Sequence, residues 1–227
     1  MSMATGVERR RPQDGQGRQA RTRLAHAAVV QAARALFLER GYAAATIETI
    51  SDLSDVPPAT VYRLFSSKLG ILKALLDVSV AGDDEAVPLE DRPHVRALLA
   101  DPAPRKQLAG FAGIARGIMS RTEPVHRILV SAAGSDPDAA ALLAEQTRQR
   151  QQGQARIARS LAQAGALRPG MRERDAADII HALMSPEVYR LLVGDRGWHP
   201  ERYEQWLTEL LVSQLLPAPA GGGEPGG

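Results

Sequence analysis

Apolar residues recur at helical spacing along most of the chain, and no stretch alternates long enough to make a strand. Val29, Ala33 and Phe37 stand at i, i+4 and i+8, with Val30 and Leu36 widening the stripe, which predicts a first helix from about Thr22 to Arg40. Gly41 follows where a helix-ending glycine belongs. Thr46 is a good N-cap for a second helix, with Thr49 rather than Glu at the capping-box position. Ile47, Ile50 and Leu53 are expected on its buried side. Ser54-Asp55-Val56-Pro57 reads as a short turn. Pro58 then opens a third helix through Phe65, in the first turn where proline is tolerated. Ser66 or Ser67 caps a fourth helix carrying Leu69, Leu72, Leu75, Leu76 and Val80.

The periodicity breaks from Gly82 to Pro93, an acidic, proline-containing stretch that marks the joint between two parts. Further helices are expected at about 94–100, 105–121, 124–134, 137–164, 173–193 and 200–216, punctuated by Gly and Pro. Pro186 falls inside one of them and should kink it. Residues 1–20 lack periodicity and are expected to form a disordered basic arm; 217–227 is a Pro/Gly tail without packing residues. The fold class is all-α.

Composition narrows the chemistry. The 227 residues include no cysteine, which excludes disulfides, a catalytic thiol and Cys-ligated zinc. No run of apolar residues is long enough for a membrane span. Arg9, Arg10 and Arg11 precede no apolar core, so no secretory leader is read and the cytoplasm is the expected location. The net charge of +2 hides an uneven distribution: residues 1–23 hold six arginines against Glu8 and Asp14, on a near-neutral body. That pattern suits either a polyanion partner or a solvated leader. There is no nucleophile–His–acid set, no Gly-rich phosphate loop and no metal-ligand spacing, so neither enzyme activity nor a cofactor is expected. Asp175, Asp178 and His181, at i, i+3 and i+6, read as a solvated helix face rather than a metal site. The Gln- and Arg-rich run from Gln146 to Arg156 likewise reads as a solvated outer face.

The richest constellation lies at 46–65. Two short helices joined by a tight turn, after a longer helix, make a helix-turn-helix pattern. Ile47, Ile50, Val56, Val61 and Phe65 supply the apolar lock, and Thr60, Tyr62 and Arg63 a polar outward face. The pattern alone also fits an ordinary αα corner. Three strings add a resemblance: Phe37-Leu38-Glu39-Arg40-Gly41-Tyr42, Thr46-Ile47-Glu48-Thr49-Ile50, and Ala59-Thr60-Val61-Tyr62-Arg63-Leu64-Phe65-Ser66-Ser67-Lys68. Together they resemble the DNA-binding domain of TetR-family transcriptional regulators over residues 21–81. Residues 82–216 resemble that family in helix count and length only.

The resemblance implies an N-terminal helix-turn-helix domain and a C-terminal helical domain for ligand binding and dimerisation. It implies phosphate contacts for Tyr62 and Lys68, and a backbone N–H offered to phosphate at Thr46. Thr60 and Arg63 become candidates for base or phosphate contact, and Pro58 and Ala59 open the reading helix. The family's polar cap, basic residue and glycine at that place are here Pro57, Pro58 and Ala59, so one or two usual contacts are missing. Asp55 stands where the family turn has glycine, and Asp tolerates the left-handed conformation. Arg18, Arg21 and Arg23 are candidates to reach a minor groove from the arm. Phe111, Ile114, Ile118, Met119, His126, Leu129 and Met184 are candidate pocket residues, with plain core packing the competing reading. His181 is a further candidate hydrogen-bonding group. Tyr189, Tyr203, Trp206 and Leu210 are candidate dimer-interface residues, with completion of the monomer core as the alternative. The expected partners are a double-stranded DNA operator, a second copy of the chain and an unidentified small-molecule effector, and no membrane. The alternative is a helical ligand-binding or protein-interaction dimer with weak, nonspecific DNA binding.

Overall fold

The structure, a computed structural model, describes residues 13–82 and 91–218, with backbone alone for 13–16. The described residues form helices and connections without strands. The chain divides into two compact units between Leu75 and Leu76, within one helix.

The first unit is built from α1 (Gln13–Ala44), α2 (Ile47–Ser54), α3 (Pro58–Phe65) and the start of α4 (Lys68–Ala81). The helical path of α1 breaks at Gly41, whose φ of 79° only glycine adopts without strain. The N-terminal end differs from expectation: residues 13–20 are helical rather than a disordered arm. Once Val29 to Phe37 is nucleated against the core, each further residue adds one hydrogen bond, and Gln, Arg and Ala propagate helix well enough to carry Gly15 and Gly17. Residues 1–12 of the expected arm lie outside the described residues.

Thr46 caps α2 as expected: its side chain accepts from the Thr49 N–H, and its own N–H donates to Thr49 Oγ1. Asp55 ends α2 in the left-handed conformation, at φ 54° and ψ 32°. The buried Ser51 hydroxyl donates to the Val56 carbonyl at 2.6 Å and fixes the turn. Ile47, Ile50, Val56, Val61 and Phe65 are all buried. Leu53 is not: it is 56% exposed, because the turn carries the end of α2 away from the core.

The second unit contains α5 (Pro93–Leu99), α6 (Pro104–Ala133), α7 (Pro137–Gln163), α8 (Glu173–Leu183), α9 (Pro186–Tyr189), a π-helical segment Arg190–Asp195 and α10 (Pro200–Leu215). α6 packs against both α7 and α10, and α8 packs against α7 and α10. Leu108, Ala112, Leu161, Ile180, Tyr203, Leu207 and Leu211 lie fully inside. Two expectations are corrected here. A single helix, α6, replaces the pair expected at 105–121 and 124–134. Pro124 removes one backbone bond, and packing on two sides outweighs that loss. The helix expected at 173–193 ends at Leu183, and Ser185 caps a new one by accepting from the Val188 N–H at 3.2 Å. Pro186 therefore starts α9 rather than kinking a longer helix.

Candidate nucleic-acid interface and ligand cavity

The outward face of α3 is built by subtraction. Val61 and Phe65, four residues apart, point into the core and fix the helix's rotation. That leaves Pro58, Ala59, Tyr62 and Arg63 exposed and Thr60 half-buried. Tyr62 is 48% exposed, so its phenol is on the surface and not packed against α1. Pro57 gives α3 no side-chain cap, but its carbonyl accepts from the N–H groups of Thr60 and Val61, at 2.8 and 3.1 Å. The surface of α3 thus offers a hydroxyl, a phenol and a guanidinium on a rigid base, the groups that contact phosphates and base edges.

Three expected DNA contacts take a different form. The Lys68 ammonium donates to the carbonyls of Tyr42 and Ala45, at 2.7 and 2.9 Å, and stands 4.3 Å from the Tyr42 ring centre. Carbonyls left over at the end of α1 recruit the cation, so Lys68 ties α1 to α4 here instead of reaching outward to a phosphate. The Thr46 N–H, offered to phosphate by the sequence reading, is committed to Thr49 Oγ1. Arg21 and Arg23 are exposed with Arg18, but on the helical part of α1; Arg21 Nε donates back to the Gly17 carbonyl at 3.3 Å. They do not form an extended arm.

Gly70 escaped the sequence reading. A Cβ there would sit 1.9 Å from the Phe65 carbonyl oxygen. The close crossing of α3 and α4 therefore requires glycine, and Ser67 helps hold it by accepting from the Gly70 N–H at 3.0 Å.

The second unit encloses a cavity of about 350 Å³. Leu76 and Val80 of α4, Val95 and Leu99 of α5, Phe111, Ile114, Ile118 and Met119 of α6, Ile157 of α7 and Met184 form its apolar walls. Its polar end is made by His126, Gln146, Arg150 and Gln154. Six of the seven candidate pocket residues line it: Phe111, Ile114, Ile118, Met119, His126 and Met184. Leu129 does not; it is fully buried in the core, because the cavity stops at His126.

Polar satisfaction at that end is uneven. Gln154 donates to the Met184 carbonyl at 3.3 Å, and its oxygen accepts from His181 Nδ1 at 2.8 Å. Gln146 Nε2 and Arg150 Nε are buried and have no hydrogen-bond partner among the described residues, and the buried His126 Nε2 has only the Glu187 carboxylate, 3.5 Å away. Each unmet buried polar group costs roughly 1–3 kcal/mol. Burial pushes the His126 imidazole below its ordinary value; the nearby Arg150 charge adds to the effect and Glu187 opposes it. His126 is thus neutral at pH 7. Burial also pulls the Arg150 guanidinium down, from a value so high that it stays charged.

Apart from His126, Glu187 and the partners Met184 and His181, these groups come from the run that reads as a solvated face. Gln146, Arg150 and Gln154 are spaced by four, and three more residues reach Ile157, so one stripe of α7 turns inward. The spacing was the available signal; the density of polar residues masked it.

The Arg121 guanidinium closes the carbonyl end of α4. Its Nε donates to the Ser79 carbonyl at 3.0 Å, and Nη2 lies 3.4 Å from that of Val80. At the expected solvated face, Asp175 pairs with Arg172 at 2.7 and 2.8 Å. Among the described residues no group of three His, Asp or Glu side chains could hold a metal. Among them, too, no helix is long and apolar enough to cross a membrane.

Residues 29–75, which contain the whole helix-turn-helix, match the family model of bacterial regulatory proteins of the tetR family. The helix-turn-helix region is similar to that of TetR-family regulators. No curated protein matches the chain in sequence. Solved structures do match in fold. NalD of Pseudomonas aeruginosa, the secondary repressor of the MexAB-OprM multidrug efflux pump, is 21% identical with a TM-score of 0.66, over 86% of this chain and 98% of that one. A protein of Syntrophomonas wolfei, described as a TetR-family transcriptional regulator, is 18% identical with a TM-score of 0.65, over 83% and 93%. A protein of Saccharomonospora viridis in complex with choline is 20% identical with a TM-score of 0.64, over 86% and 98%. The chain thus has the fold of TetR-family regulators along most of its length.

The second unit corrects half of the candidate dimer face. Tyr189 and Tyr203 are buried in the monomer, with ring centres 4.9 Å apart, and the Tyr189 hydroxyl lies 2.8 Å from Ser120 Oγ. They complete the core, as the alternative reading had it. Trp206 and Leu210 stay half-buried on α10, and Leu191, on the π-helical segment, is 49% exposed. Trp198 stacks edge-on to Trp206 at 6.2 Å and carries the Arg202 guanidinium at 4.0 Å.

Proposed function

We propose that this protein is a ligand-responsive transcriptional repressor that binds a palindromic operator as a homodimer, in the cytoplasm. The carrying observation is α3: Thr60, Tyr62 and Arg63 face outward from a helix whose rotation Val61 and Phe65 lock. One α3 from each protomer enters a major groove, and two-fold symmetry in the protein asks for a two-fold operator. Tyr62 contacts phosphate, while Thr60 and Arg63 are placed for base edges; Pro58 and Ala59 add apolar contact at the start of the helix. The half-exposed Trp206 and Leu210 on α10 pair with their copies in the dimer.

The regulatory part is carried by α4, which follows α3 after two residues and contributes Leu76 and Val80 to the cavity wall. A small molecule that binds with unequal affinity to two positions of α4 shifts their populations and changes operator affinity. Arg121, bound to the last carbonyls of α4, defines the position to be displaced.

Selection of binding sites from random duplexes, with the full-length protein at near-physiological salt, tests this reading. Recovery of a two-fold symmetric site supports it. Weak binding that falls steeply with salt and prefers no sequence would leave a helical ligand-binding dimer without a specific operator.

A further inference from the structure

The cavity's polar end says what kind of molecule fills it. Two buried donors converge there without partners, Gln146 Nε2 and Arg150 Nε, beside His126 Nε2, which lies 3.5 Å from Glu187 Oε1. Gln146 and Arg150 are four residues apart on α7 and share one face, and His126 meets them from α6. Other polar groups at the wall are occupied. Thr122 and Thr147 hydroxyls donate to carbonyls four residues back, at 3.0 and 2.9 Å, and the Gln154 amide is taken up by Met184 and His181. Gln149 also lines the wall and donates to Glu145 Oε1 at 2.7 Å, Arg156 adds a second guanidinium to the lining, and the rest of the surface is aliphatic or aromatic.

Resting on the ligand-response reading above, we propose that the effector is an amphipathic carboxylate. It lays a hydrocarbon body against Phe111, Ile114, Ile118 and Met119, and its carboxylate accepts from Arg150 Nε and Gln146 Nε2.

A carboxylate is acceptor-only and complements a guanidinium whose charge Glu187 favours electrostatically without forming an ion pair with it among the described residues. His126 adds an N–H through its Nε2 tautomer, and the nearby Glu187, whose side chain is 64% exposed, lies toward solvent. A cation such as the choline seen in the Saccharomonospora protein would meet the Arg150 charge, with Tyr189 and Tyr203 buried in the core instead of forming an aromatic cage. At roughly 30 Å³ per non-hydrogen atom, the cavity holds about a dozen such atoms, the size of a medium-chain fatty acid.

The test is titration of the full-length protein with decanoate, decan-1-ol, choline and the small neutral dye 2-naphthol, read by calorimetry and dye displacement. Decanoate is expected to bind about tenfold or more tightly than decanol, the worth of one charge-assisted contact. Choline is expected to be the weakest. Arg150→Met should erase the preference for decanoate while decanol binding persists. Should Arg150→Met fail to fold, Gln146→Leu removes the second donor and should narrow the gap. Equal affinity for decanoate and decanol overturns the carboxylate while leaving a ligand site intact. Failure of all four, the neutral dye included, overturns the proposal together with the ligand-response reading.

Discussion

At the scale of single residues, the sign of an effect depends on what surrounds the atom. Glycine to alanine in a helix ordinarily stabilises by about 0.5–1 kcal/mol. At Gly70 the new methyl would fall 1.9 Å from the Phe65 carbonyl oxygen, a backbone atom that cannot step aside alone. Gly70→Ala is therefore expected to destabilise by about 2 kcal/mol or more, read as a lower melting temperature; a gain would mean that α3 and α4 do not cross as described. His126 gives the second expectation at this scale. Burial, aided by Arg150 and opposed by Glu187, holds its folded-state value below the ordinary 6.5, and burial does the same to His181. Below about pH 6.5 the unfolded chain takes up protons that the fold resists, so stability falls on acidification. Melting temperature should drop between pH 7.5 and 5.5, and His126→Gln should shrink the drop. A profile unchanged by that substitution would remove His126 as a cause.

At the scale of elements, caps and turns were the most legible features. Thr46 with Thr49, Asp55 at the turn, Pro58 in a first turn and Ser67 before α4 act through bonds spanning only a few residues, so local spacing suffices to read them. Pro124 and Pro186 were misread, since whether a proline kinks, ends or opens a helix depends on what packs beside it. The partners of Lys68 were illegible for a related reason: the carbonyls it binds lie 23 and 26 residues away. For α3 the expectation separates two roles. Tyr62→Phe, which removes a phosphate-directed hydroxyl, should weaken binding to all duplexes alike, whereas Arg63→Ala should relax preference at one operator position by about 1–3 kcal/mol. Competition between a selected operator and single-base variants distinguishes them, and unchanged preference with Arg63→Ala would rule out its base contact.

At the scale of the whole molecule, assembly is the open physical question, and α10 carries it. Leu210 is half-buried in the monomer, and Glu in its place would put a charge into the proposed interface. Leu210→Glu should shift the protein from dimer to monomer in light scattering and abolish cooperative operator binding, with helix content retained. A dimer that survives would move the interface elsewhere. The sequence by itself determined the all-α class, the order of helices around the helix-turn-helix and the apolar lock of α2 and α3, because each follows from periodicity and capping within a few turns. Only the tertiary structure decided which apolar side chains are core and which are wall. Leu129 and Met119 look alike in sequence, and Tyr203 looks like an interface anchor until α6 and α8 bury it. It also decided that Gln146 and Arg150 face a cavity, since a polar stripe turns inward only where neighbouring helices leave unfilled space beside it.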